Sequence, residues 1–193
     1  MRHLTPADYA TMPWANGLGT TIEMVRSTRA DGSLAYRLSL AKVAVDGPFS
    51  LFPGVKRNLT VISGSGFDLI GTQRLRADPL VPVAFSGEDP MSAAGVREPN
   101  EDFNVMVGRH FAWPDVAVLQ DGMKAEVSDA MLFIFALAPA KVGPTSLGRH
   151  DLLVCTLGGP VTGGPVTGGP VTGGHVTGGP VIVVQIGLPF KSA

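Results

Sequence analysis

The chain has 193 residues, 45% of them apolar and only 16% charged, with 15 basic against 16 acidic side chains. A net charge of −1 excludes the basic surface that non-specific nucleic-acid binding or a polybasic membrane anchor requires. The single cysteine, Cys155, excludes an internal disulfide and a cysteine-built zinc cluster.

The opening residues Met1–Pro6 carry no apolar signal region. The longest apolar run, Ala130–Ala140, is eleven residues, whereas a membrane helix needs about 20. A soluble, cytoplasmic protein is expected. Thr5-Pro6-Ala7-Asp8 predicts a helix start, with Thr as N-cap and Pro in the first turn, and Pro13 limits that helix to two turns.

Strand signals dominate from there on. Thr20–Arg26 is rich in branched residues. Tyr36, Leu38 and Leu40 alternate with Arg37, Ser39 and Ala41, the period of a half-buried strand. Leu59–Ile62 and Phe67–Ile70 flank Gly64-Ser65-Gly66 and predict a hairpin. Further strands are predicted at Val81–Phe85, Phe103–Val107, Val116–Leu119, Met131–Leu137, Leu152–Leu157 and Val181–Ile186. Pro82 assigns its strand to a sheet edge or a bulge. About ten short strands separated by turn residues give an all-β fold, either two small barrels or a jelly-roll-like pair.

From Gly158 the pentapeptide Gly-Gly-Pro-Val-Thr recurs, with His175 replacing proline in one copy. Residues 158–180 hold 10 Gly and 4 Pro. Glycine gives the backbone freedom and proline blocks ladder hydrogen bonds, so the block is expected to be a long loop outside any regular sheet. It should join the two strands of a hairpin.

Chemistry-bearing motifs are few. His3, His110, His150 and His175 form no pair at metal-ligand spacing, so no metal and no cofactor is expected. Cys155 sits in the apolar run Leu152-Leu153-Val154-Cys155, the setting of an inert thiol. Gly17-Leu18-Gly19 is too short for a dinucleotide fingerprint. Two segments stand out. In Trp14-Ala15-Asn16-Gly17-Leu18-Gly19-Thr20-Thr21-Ile22-Glu23 an Asn-Gly turn leads into a strand carrying threonines and a carboxylate. In Gly47-Pro48-Phe49-Ser50-Leu51-Phe52-Pro53-Gly54-Val55-Lys56-Arg57 a phenylalanine pair precedes a cationic pair. Read singly, each is an ordinary turn beside a strand.

Read together with Tyr36-Arg37-Leu38-Ser39, Phe85-Ser86-Gly87-Glu88 and Asp102-Phe103-Asn104-Val105-Met106, these segments resemble the HutD/Ves family of cupin-like proteins. Order and spacing match over about residues 4–107. The resemblance implies an RmlC-like jelly-roll bicupin. A barrel half of about residues 1–110 and another of about 111–193 would form one compact unit, with 158–180 as the repeat loop. It implies the absence of metal-binding histidines and a role in histidine utilisation through binding of an acidic pathway compound such as formylglutamate or urocanate. The sequence departs from the family in Lys56, where an acid is common, in Tyr36, where Trp is common, and in the repeat that interrupts the second half.

The expected site is a barrel mouth that holds a small carboxylate. Arg57 is the anion clamp, because a guanidinium matches a carboxylate bidentately. Arg37 is a second cation or a partner for Glu23. Asn16, Thr21, Ser39 and Ser50 supply neutral hydrogen bonds, and Trp14 and Phe52 wall the pocket. Lys56 adds positive charge beside Arg57. The alternative is a metal-independent cupin isomerase or lyase with Glu23 as general base. The expected partner is the small carboxylate alone, without nucleic acid or membrane, and a homodimer is compatible with this reading.

Overall fold

The computed structural model describes residues 1–13, 20–123, 130–156 and 176–187. They fold into strands. The expected helix at Pro6 is a single 3₁₀ turn, Pro6–Asp8, because the chain enters a strand two residues later. Among the described residues no helix is long and apolar enough to cross a membrane.

The chain divides into two compact units. One comprises Asp8–Pro114, and the other joins Met1–Ala7 to the residues after Asp115. Strand β1 (Arg2–Leu4) therefore belongs with the later part of the chain. In the Asp8–Pro114 unit the strands are β2 (Ala10–Pro13), β3 (Thr20–Thr28), β4 (Leu34–Val43), β5 (Gly47–Pro48), β6 (Val55–Ser63), β7 (Phe67–Ile70), β8 (Arg74–Ala77), β9 (Val83–Ser86), β10 (Ser92–Ala94) and β11 (Asn100–Gly108). They build a six-stranded sheet in the order β2-β3-β4-β11-β6-β9 and a four-stranded sheet in the order β5-β10-β7-β8. Every pairing between named strands is antiparallel.

The two sheets enclose one apolar core. Leu59, Val61 and Phe85 of the large sheet pack with Phe67, Leu69, Ala77, Met91 and Ala93 of the small one. The middle strands β4 and β11 are more buried than alternation predicts: Leu38 and Leu40 are buried, and so is Ser39 between them. Pro82 stands just outside β9, which is the edge of its sheet, as a residue without an amide proton requires.

One expected hairpin is absent. β6 pairs with β11 and β9, whereas β7 pairs with β10 and β8. Gly64-Ser65-Gly66 is thus a corner that carries the chain from one sheet to the other. Gly64 and Gly66 take positive φ values of 100° and 77°, and the Gly66 amide donates to Asn100 Oδ1 at 2.7 Å. That buried side-chain acceptor, supplied from β11, holds the corner where a two-residue hairpin turn would have used backbone groups alone.

The second unit contains β12 (Asp115–Leu119), β13 (Ala130–Ala136), β14 (Ala140–Val142), β15 (Thr145–Leu147), β16 (Leu152–Thr156), β17 (Val176–Gly178) and β18 (Val181–Gly187). Its sheets run β1-β16-β13-β18-β12 and β15-β14-β17. Leu132, Ile134, Leu153, Cys155, Val181 and Val183 of the first pack with Ala140, Val142, Leu147 and Val176 of the second. Cys155 is buried, and burial pushes its thiol up.

Two expectations about the repeat change. β16 and β18 do not form a hairpin, because β13 lies between them and pairs with both. The last copy also enters a sheet: Val176–Gly178 is β17, paired with β14. This is the copy in which His175 replaces proline ahead of the valine. The rest of the repeat, residues 157–175, lies outside the described residues.

Val176 is buried in the apolar cluster, and its neighbour Thr177 is exposed. Val176→Asp places an unpaired charge in that cluster and is expected to cost about 3 kcal/mol or more. Thr177→Asp is expected to stay within about 0.5 kcal/mol of wild type. Urea unfolding of the two variants checks this, and equal costs would show that β17 does not belong to the core.

Candidate functional site

The expected site residues are ordered by three rungs of the large sheet. The first aligns Arg37 of β4 with Met106 of β11, Arg57 of β6 and Phe85 of β9. The second aligns Glu23 of β3 with Ser39, Asn104, Leu59 and Val83. The third aligns Thr21 with Ala41, Asp102 and Val61. Strand alternation sends one face of all three rungs inward. That face is the one on which Leu59, Val61 and Phe85 meet the small sheet.

Arg57 is 4% exposed. Its guanidinium carbon lies 4.8 Å from the ring centroid of Phe85, 5.3 Å from that of Phe49 and 5.4 Å from that of Phe52. The three rings form a box around the cation, and each offers its negative face. Its hydrogen bonds are sparse by comparison. Nη1 donates to the Ser50 carbonyl and Nη2 to Asn104 Oδ1, both at a long 3.4 Å, and Nε has no hydrogen-bond partner among the described residues. Burial lowers the Arg57 pKa to about 10, so it remains a cation at neutral pH.

The loop that carries two of these rings is fixed by the segment after β9. The Phe49 amide donates to the Met91 carbonyl at 2.8 Å, and the Phe52 amide to the Gly87 carbonyl at 2.7 Å. The Gly87 amide donates to the Val55 carbonyl at 2.7 Å, and Glu88 Oε1 accepts from the Gly54 amide at 2.8 Å. A Cβ on Gly87 would stand 2.5 Å from the Phe52 carbonyl oxygen, so only glycine allows this approach. The Phe-Ser-Gly-Glu segment is the clamp for the Phe-Ser-Leu-Phe-Pro-Gly loop.

Arg37 and Glu23 form an ion pair, Nε to Oε2 at 2.7 Å, although the alignment falls short of a hydrogen bond. Arg37 is therefore the partner of Glu23 and not a second free cation. Lys56 corrects another expectation. It follows the opposite direction of the pleat from Arg57, and its Nζ donates to the carbonyls of Phe111 and Arg109. Its charge is spent on the turn after β11. Ser50 is exposed and contributes its backbone carbonyl to Arg57. Ser39 is buried in the rung beside Asn104. Trp14 and Asn16 lie outside the described residues.

Four participants stood in quoted motifs but were given no place in the expected site: Phe49, Phe85, Asn104 and Asp102. The last two had a legible signal, since Asp102 and Asn104 are polar at i and i+2 on either side of Phe103, just ahead of the apolar run Val105–Val107. Asp102 is 0% exposed, and neither carboxylate oxygen has a hydrogen-bond partner among the described residues. Burial pushes its pKa up to about 8, against the pull of the Arg57 charge. A wholly buried carboxyl group is therefore mostly uncharged at neutral pH.

Among the described residues no three His, Cys, Asp or Glu side chains group as metal ligands. A separate concavity of about 290 Å³ is lined by Ser65, Gly66, Asp68, Arg76, Gly95 and Arg97. Its Arg76 is already engaged by Asp78, Asp68 and the Ser65 carbonyl.

With this geometry in hand, the comparisons with known proteins are informative. The family model described as HutD matches residues 6–162. A 21.2 kDa protein from the hutC 3' region of Pseudomonas putida is 38% identical over 108 residues, 53% of this chain and 56% of that protein. Protein Ves of Escherichia fergusonii is 34% identical over 105 residues, 51% and 55% respectively. The chain spans about half the length of these curated relatives. The structure of HutD from Pseudomonas fluorescens SBW25, in a formate condition, superposes with a TM-score of 0.80 at 27% identity, covering 96% of this chain and 97% of that one. A cupin barrel protein from Leptotrichia buccalis shares the fold alone, with a TM-score of 0.51 at 8% identity over 93% and 92%.

The Asp102 shift makes stability depend on pH. With its pKa raised in the folded state, the native protein binds more protons than the unfolded chain between about pH 4 and 8. The stabilisation is complete below the unfolded pKa and is lost as pH rises through about 8. Asp102→Asn removes the titrating group, so its denaturation midpoint should fall less than that of wild type between pH 5 and 8. Parallel profiles would mean that Asp102 is ionised in the folded protein.

Proposed function

The chain belongs to the HutD family, and we propose that it is a non-enzymatic binding protein whose barrel interior holds a small carboxylate on Arg57. One observation carries this reading: among the described residues, a guanidinium 4% exposed has two long hydrogen bonds and an Nε without a partner. Buried cations are ordinarily paired, because desolvation costs far more than an aromatic contact returns. Arg57 has its flat faces covered by three rings while its donors remain under-used. A carboxylate is the group that matches the fork of such donors.

The family membership, the hutC-region relative and the formate condition of the HutD structure suggest the class of ligand. We assign the protein a role in histidine utilisation, in which it holds a pathway acid such as formylglutamate or urocanate and so modulates the pathway. Glu23, the base that an isomerase or lyase would need, is engaged by Arg37 at 2.7 Å. That engagement favours binding over turnover.

Calorimetric titration with formate, urocanate and formylglutamate tests the proposal. Charge-assisted hydrogen bonds are worth roughly 1.5–3 kcal/mol, so Arg57→Ala should weaken carboxylate binding about 10- to 150-fold. Arg57→Lys keeps the charge without the fork and should fall between the two. Lys56→Ala should leave the affinity nearly unchanged, because that side chain serves the Phe111 turn. Equal binding by wild type and Arg57→Ala would remove the clamp.

A further inference from the structure

The charges that face the interior of the Asp8–Pro114 unit can be counted. β6 brings Arg57, and β11 brings Asp102. β4 and β3 bring Arg37 and Glu23, which neutralise one another, and β3 also brings Arg26, level with Arg37 but exposed to solvent and so outside the buried interior. β2 and β9 bring no charged residue. The four-stranded sheet packs inward with Phe67, Leu69, Ala77, Met91 and Ala93, while its Asp68, Arg74 and Arg76 pair among themselves. Glu101, next to Asp102 on β11, takes the opposite direction of the pleat and is half-buried.

Two groups on the inward face are short of partners, Arg57 at Nε and Asp102 at both oxygens. They lie close together along the sheet. The Arg57 guanidinium reaches one rung, to Asn104, and Asp102 is two residues further along β11. Two residues of strand span about 7 Å, a distance that one carboxylate with a hydrogen bond at each oxygen can bridge. The charge state of Asp102 decides what can enter. As an anion it cancels Arg57 and repels a carboxylate in a medium with little screening. As an acid it leaves the interior at +1 and offers an O–H donor.

We propose that Asp102 contacts the ligand as an uncharged carboxylic acid, donating a hydrogen bond to a ligand oxygen, so that the barrel takes up a carboxylate together with one proton from solvent. This rests on the reading of Arg57 as the anion clamp. The elevated Asp102 pKa of about 8 agrees with the geometry. It places the exchange in a range where Arg57, near 10, keeps its proton.

The test is calorimetry of the intact chain with formate, urocanate and formylglutamate between pH 6 and 9, in paired buffers of different ionisation enthalpy. Proton uptake per bound carboxylate should be near zero at pH 6, where Asp102 already holds its proton, and should approach one at pH 9. The dissociation constant should rise by about tenfold per pH unit above pH 8. Asp102→Asn should bind without uptake and with little change from pH 6 to 9. The wild-type measurement stands on its own if that variant does not fold. Binding to wild type without proton uptake anywhere in this range overturns the Asp102 proposal and leaves the Arg57 clamp intact. Failure of all three acids to bind wild type at any pH overturns both.

Discussion

A guanidinium taken out of water loses hydration that two long hydrogen bonds do not replace. In this barrel that deficit falls on Arg57, and the surrounding structure is arranged around it. Phe49, Phe52 and Phe85 cover its faces. The glycine at 87 and the carboxylate of Glu88 hold the loop of two of those rings in place from the segment after β9. Asn104 takes one end of the fork. The nearest candidate counter-ion, Asp102, is itself too deeply buried to hold a charge readily at neutral pH. The result is a buried cation whose donors are under-used among the described residues, the feature on which the proposed carboxylate site rests.

The same constraint explains why neighbouring charges cannot substitute for one another. Lys56 is adjacent in sequence, but strand alternation sends it to the other face, where carbonyl oxygens of the turn after β11 receive its protons. Arg37 shares the inward face and a rung with Arg57, yet Glu23 absorbs its charge. Position on a strand separates the clamp from two other basic residues of similar composition.

Much of this was legible in the sequence, and the rest failed for physical reasons. The alternation around Leu38 and the β-branched runs located the long strands, and Pro82 located an edge. The Gly-Pro-Phe-Ser-Leu-Phe-Pro-Gly loop marked the box, and Arg57 was visible at its end. The Gly64–Gly66 turn misled because a hairpin and a sheet-to-sheet corner use the same glycines. The difference is made by Asn100, a contact 34 residues away. Short strands such as β5, β10 and β17 are too brief to show a period, and they exist because pairing with segments distant in the sequence offers them a ladder. Asp102 was quoted in a motif but not assigned a role, since its meaning depends on burial that composition does not display. The repeat was read as loop throughout, and the three residues Val176–Gly178 that join β14 are set by that long-range pairing and not by any local pattern.

The account turns on whether the unpartnered Nε–H of Arg57 meets the ligand. Nitrogen-15 NMR of the arginine side chains reports on that proton directly, because a buried Nε–H exchanges slowly enough to be seen. On saturation with a carboxylate that calorimetry shows to bind, the Arg57 Nε–H resonance should shift strongly, and that of the ion-paired Arg37 should move much less. If the carboxylate binds and the Arg57 resonance stays where it is, the anion sits elsewhere and the barrel interior is not its site.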